Sequence, residues 1–289
     1  MIYLIASIFC STLIMLVFKW AERFEINRLQ LIVINYFVAF SAGYLAFGNG
    51  MGITEILAKP WFGFAIILGF VFISCFNIIG FAIQEIGVGI ITVANKMSLV
   101  VPVLFSLIFV GETLTLPTAI GIILALIAVY FASIKKTSHL NGIKYWRLPI
   151  LVFIISGAVD TFIKYAQEYL IPVNEFGLFC TAVFMVAGII GIPFFIYQQV
   201  KHKEFKLSKT IICGISLGIP NFGSIYFLME ALNSPNWESS RLFPINHIGV
   251  VLLATLSGAV LFNEPVSRIN KIGVGLAVIA ILLLSLYGG

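Results

Sequence analysis

The sequence predicts an all-α membrane protein: ten transmembrane helices in two inverted five-helix repeats. Three observations predict it: the composition, the length of the apolar runs and an internal echo. Apolar residues make up 61% of the 289 and charged residues only 10%, with a mean hydropathy of +1.09. A soluble domain carries about a quarter charged residues, so this chain has too few to cover a water-facing surface. Its solvent is a bilayer.

About 20 apolar residues span the hydrocarbon core, and ten runs qualify: 2–20, 30–47, 61–83, 88–110, 117–134, 147–168, 174–198, 211–232, 238–262 and 269–287. The first run lacks a basic leader and continues straight into Lys19, so it reads as a span and not as a cleavable signal. Barrel strands alternate over about ten residues, whereas these runs are continuous. Trp20, Trp61, Trp146 and Trp237 all fall at run ends, where an amphipathic ring prefers the interface. Cys10, Cys75, Cys180 and Cys213 sit inside apolar runs without CxxC spacing and read as small hydrophobes.

The echo fixes the organisation. Shifting the first half by 152 brings Glu112 onto Glu264, Gly121 onto Gly273, Ala125 onto Ala277 and Ser133 onto Ser285. Eight of the 23 positions from Gly111 to Ser133 are identical. A second echo, at a shift of 145, sets Phe18–Phe24 against Ile163–Tyr169 and Lys19 against Lys164. Five spans per half is odd, so the halves enter the membrane from opposite sides. Repeat one is 1–134, the linker 135–146 and repeat two 147–289. Each half needs the other to bury its polar residues, which makes 1–289 a single transmembrane domain.

Of the 17 Lys and Arg, three lie within spans (Lys96, Lys164, Arg241). Lys59 alone lies on one face of the bundle, and the other thirteen lie on the opposite face. The positive-inside rule puts the thirteen in the cytoplasm and both termini outside. The net charge of +5 expresses that bias and implies no nucleic acid.

A further pattern joins these. Pro102 to Glu112 reads P-x-x-x-x-L-x-x-x-G-E, Leu261 to Pro265 reads L-F-N-E-P, and each is followed by G-x-x-L-A (Gly121–Ala125, Gly273–Ala277). With ten spans in two halves, the chain resembles the EamA branch of the drug/metabolite transporter superfamily over nearly its whole length. The resemblance implies an amino-acid-like solute. Members are commonly drawn with both termini in the cytoplasm, opposite to the charge count here.

Several residues could carry the chemistry. Lys96 stands eight residues into the fourth span, about 12 Å deep at 1.5 Å per residue. A lysine there costs at least ~2.5 kcal/mol unless it faces water or a partner. It is therefore expected to face a central cavity and meet an anionic group, with Asn95 and Thr92 beside it. His247 falls opposite Asn95 across the repeat. Asp160 is a carboxylate near mid-span, with two open readings: an intrahelical pair with Lys164 at i+4, or a pair with Lys96 across the bundle. Arg241 and Glu230 flank one short loop and read as a rim salt bridge or a gate. Asn77 and Asn221 are in-span amides that either glue helices or hydrogen-bond the solute. Pro102, Pro220 and Pro244 predict kinks. Glu112 and Glu264 precede Thr115 and Ser267, which can cap the next helix, and so read as structural.

HExxH, GxSxG, P-loop and GxGxxG patterns are missing, and two of the three histidines fall in loops. No cofactor and no metal site are expected. The sequence reading is a secondary transporter of a small polar, anionic or zwitterionic metabolite in the bacterial cytoplasmic membrane, working by alternating access between the halves. A proton or counter-solute is the candidate coupling partner. The rival readings are a scaffold subunit without transport, a lipid-carrier flippase and an intramembrane enzyme.

Overall fold

The computed structural model describes residues 1–24, 26–86, 88–133, 147–201, 207–235, 237–262 and 267–286. The expected linker, Glu264 and much of the basic stretch before α10 lie outside them. The described residues form helices α1 (Ile2–Arg23), α2 (Arg28–Phe47), the short α3 (Ile53–Leu57), α4 (Phe62–Ile86), α5 (Val88–Met97), α6 (Val100–Phe105), α7 (Leu116–Ser133), α8 (Arg147–Tyr165), α9 (Phe176–Lys201), α10 (Leu207–Leu232), α11 (Ser239–Phe262) and α12 (Arg268–Leu286). Two wide π turns, Ser106–Val110 and Ala166–Leu170, extend α6 and α8. Nine described segments are long and apolar enough to cross a bilayer; the tenth, Leu116–Ala132, is shorter. The all-helical membrane fold is therefore as expected, with α5, α6 and their π turn together forming the fourth crossing.

Local chemistry sets the helix starts. The Asn27 side chain accepts from the N–H groups of Leu29 and Gln30 at the head of α2. Thr115 accepts from Thr118 N at 3.4 Å before α7, and Ser267 from Asn270 N at 3.2 Å before α12. Each hydroxyl or amide oxygen meets donors that the helix itself leaves orphaned. The loop after α2 holds α3, a turn the apolar pattern did not announce.

Lipid is as apolar as leucine, so helix association rests on close packing and polar contacts. The strongest sequence echo builds one such interface. Ala125, Ala128, Ala277 and Ala280 form a buried cluster between α7 and α12. A Cβ on Gly273 would fall 2.3 Å from the Ala132 nitrogen, so only glycine lets those backbones meet. Elsewhere α2 packs on α9 and α10, α1 on α10 and α11, and α8 on α4, α5 and α6. The pairs α1–α10 and α1–α11 are answered, five crossings on, by α8–α4 and α8–α5. Helices α9, α10 and α11 form the interior, while large side chains such as Leu45, Ile108, Val200 and Val260 point outward.

Candidate functional site

The fourth crossing breaks directly after Lys96. Helix α5 stops at Met97, and α6 restarts at Val100. Pro102 has no N–H to offer the Ser98 carbonyl, and its ring crowds that carbonyl. Ser98 O takes Val101 N at 2.9 Å instead, while Leu99 N turns back to Lys96 O at 3.4 Å. The Ser98 hydroxyl donates to Asn95 O at 2.5 Å. Gly157 of α8 seats the break: a Cβ there would lie 2.5 Å from Val101 Cγ2 and 3.2 Å from Ser98 O. Irregular backbone at this depth is tolerated only against protein or a water-lined space. A kink was expected at all three prolines; the chain leaves helical hydrogen bonding only next to Pro102, and Pro220 and Pro244 lie inside continuous α10 and α11.

Across the break stand Asp160 of α8 and His247 of α11, with His247 Nε2 3.1 Å from Asp160 Oδ2. Neither pairing expected for Asp160 is made. Lys164 points the other way, to Gln167 Oε1 at 3.0 Å and Glu168 Oε2 at 2.7 Å. Lys96 is reached by the charge of Asp160 but forms no ion pair or hydrogen bond with any described residue. With Asp160 ionised, His247 Nε2–H donates and Nδ1 is left as an acceptor. That Nδ1 and the neighbouring Asn246 Oδ1 are buried without a partner. The centre thus offers an ammonium outside any ion pair and, on α11, two polar atoms without a partner.

The other expected residues are placed as follows. Thr92 and Asn95 lie on α5 and are half-buried. Asn77 donates to Ile73 O of its own helix at 2.7 Å. Asn221 donates to Asn35 Oδ1 at 3.1 Å, tying α10 to α2. The Arg241–Glu230 bridge is not formed: Arg241 Nη2 donates to Glu238 Oε2 at 3.0 Å, within its own first turn. Glu230 lies instead beside Tyr226.

On the Lys59 face a cavity of about 660 Å³ opens, lined by Lys164, Glu168, Arg241, Glu238, Glu112 and Trp237 among others. Glu112 does not serve its own next helix. Its two oxygens accept from Ser239 N and Ser240 N, each at 2.8 Å, at the head of α11. A carboxylate on a helix N-terminus is favourable, but here the helix belongs to the other half of the chain. Nearby, Glu175 accepts from Lys59 at 2.6 Å and from Trp61 Nε1 at 2.5 Å.

Residues 147–286 match the EamA-like transporter family. The match supports the EamA branch of the drug/metabolite transporter superfamily, and with it a multi-pass membrane transporter. An uncharacterized protein of Haemophilus influenzae is 28% identical over 290 residues, covering 97% of this chain and 96% of its own. A solved crystal structure superposes with a TM-score of 0.73 at 15% identity, over 99% of this chain and 96% of the other. That likeness bears on the fold alone.

Within this fold four neighbours of the centre were given no site role by the sequence reading. Tyr36 of α2 is fully buried and its hydroxyl has no partner. Cys75 of α4 lies 3.7 Å from Ser156 of α8 and near both Asp160 and Tyr36. Asn246 was visible beside His247. The one signal for Tyr36 was the Asn35–Tyr36 pair in an otherwise apolar run, a cue that hydropathy averages away.

Proposed function

We propose that the chain moves a small anionic or zwitterionic solute, amino-acid-like in size, across the cytoplasmic membrane by alternating access. The observation that carries this is Lys96: an ammonium deep in a span, beside a broken helix, with no neutralising partner among the described residues. An intramembrane charge that is neither paired nor at the interface marks a substrate or ion path. Discontinuous helices at mid-membrane are where transporters bind their cargo. Lys96 would hold the carboxylate or phosphate, and His247 with Asn246 would take donors from the rest of the solute. The doubled sequence and the answering helix pairs support an inverted repeat, with one half rocking on the other.

A thermal-shift screen of the purified protein against amino acids, sugars and phosphate esters finds the solute. Flux in proteoliposomes then tests the site. Lys96→Met keeps the volume and is expected to cut uptake at least tenfold while the protein still folds. Lys96→Arg should recover little, because a planar fork does not replace a point charge. Normal flux in Lys96→Met would remove the proposed site.

The thirteen-to-one split of loop cations supports a cytoplasmic location for the face opposite Lys59. Cysteines placed in 201–209 should label only from the cytoplasmic side, and one at Gly289 only from outside. The reverse pattern would invert the orientation.

A further inference from the structure

The cavity on the Lys59 face does not reach the central cluster: Lys96, Asp160 and His247 are not among its lining residues. Its walls include Lys164, held by Gln167 and Glu168, and Arg241, held by Glu238. The segment between this mouth and the centre is the second part of the fourth crossing, Val100–Val110. That segment is unlike a normal span at both ends. Towards the centre it is cut from α5 by the Ser98–Leu99 break. Towards the mouth it ends in a π turn, closed by Gly111 with φ +81°. The π turn ending α8 leans on it, with Tyr169 Oη donating to Phe109 O at 3.0 Å. Inside α-helices, wide turns of this kind collect at functional sites.

Just beyond Gly111 comes Glu112, with both oxygens on the head of α11. Thr113 adds its N–H and hydroxyl to Glu238 Oε1 at 3.4 and 3.2 Å. Of the ties between the end of this crossing and the other half of the molecule, Glu112 makes the shortest, two charge-assisted bonds at 2.8 Å. Such bonds are roughly twice as strong as neutral ones, yet a carboxylate can trade backbone N–H groups for water without any covalent change.

We infer that Glu112 is a latch: its grip on Ser239 and Ser240 holds Val100–Val110 against α11 and keeps the centre shut from the Lys59 face, and its release lets that segment swing about Ser98–Leu99. The purpose of the latch rests on the transporter reading. Its test needs no solute.

Cys75 beside Ser156 reports on the centre, and Cys213, buried between α1 and α10, reports on the bundle at large. Each is kept as the single cysteine, and its modification by a cationic methanethiosulfonate is timed. Glu112→Ala should speed modification of Cys75 about tenfold and leave Cys213 at its original rate. Glu112→Gln keeps the shape and one acceptor and should speed Cys75 severalfold. Unchanged Cys75 rates in both variants would overturn the latch. An equal rise at Cys213 would overturn it too, because it would mean a loosened fold. Either failure leaves the flux result for Lys96 standing, so the latch and the transporter reading fail separately.

Discussion

The fourth crossing and α11 fall at matching places under the 152-residue shift of the sequence, yet one is broken between Met97 and Val100 and the other runs unbroken from Ser239 to Phe262. Both contain a proline. Pro244 sits in the second turn of α11, where its missing N–H would have met Ser240 O, close to a terminus that is already short of partners. Pro102 falls in the middle of its crossing and strikes the Ser98 carbonyl, with Gly157 of α8 leaving room for the distorted backbone. Depth alone does not decide whether the ladder breaks, since Pro220 lies midway along unbroken α10; at Pro102 the space above Gly157 accommodates the displaced turn. The two halves then divide the work. The broken crossing presents Lys96, and the continuous one presents His247 to Asp160.

The sharpest way to break this comparison is to exchange the prolines. Pro102→Ala restores an N–H for Ser98 O and should heal the turn at Ser98–Leu99, reorienting Lys96 and lowering flux about tenfold. The melting temperature should hold or rise, since a helix-interior proline costs ~3 kcal/mol or more. Pro244→Ala should change flux less than about twofold. Equal losses from the two would mean that the break has no bearing on transport.

How much of this was legible beforehand follows from what periodicity measures. Run lengths give position along an axis, so the spans and the in-span places of Lys96, Asp160 and His247 were readable. Run lengths do not give azimuth or neighbours. Asp160 was matched with two lysines of suitable depth, while its actual partner was a histidine on a helix no local rule connects to it. Arg241 was matched across a loop, although Glu238 stood three residues away at the helix start. Glu112 was read as serving the nearest helix in sequence; its donors lie more than 120 residues on. In each case the partner was set by packing, which run lengths do not record. The echo behaved differently. Gly273, Ala277 and Ala280 repeat Gly121, Ala125 and Ala128, and both sets of alanines lie in the α7–α12 contact, because two like surfaces of small residues pack on each other.

A smaller effect separates the two ends of that contact. At the head of α12, Asn270 is 9% exposed, and its amide donates to Phe131 O and Ala132 O, each at 3.0 Å. Those are among the last carbonyls of α7, which have no partner within their own helix. Its Oδ1 meanwhile accepts from Ser267 N at 3.1 Å and Ser267 Oγ at 2.6 Å. The residue at the same place in the first half is Thr118, at the head of α7. It is buried too, but its hydroxyl bonds only Thr115, at 2.8 Å, and it reaches no described residue of α12. The interface is therefore pinned on the face opposite Lys59 and merely packed on the Lys59 face, where the latch lies. Asn270→Ala strips two carbonyls of their donor and should cost about 1–3 kcal/mol, read as a lower thermal midpoint. Thr118→Ala removes a bond within one cap and should cost under ~1 kcal/mol. Flux at a temperature where both variants are folded should be nearly unchanged in each. Equal destabilisation would show that the pin holds nothing that packing does not already hold.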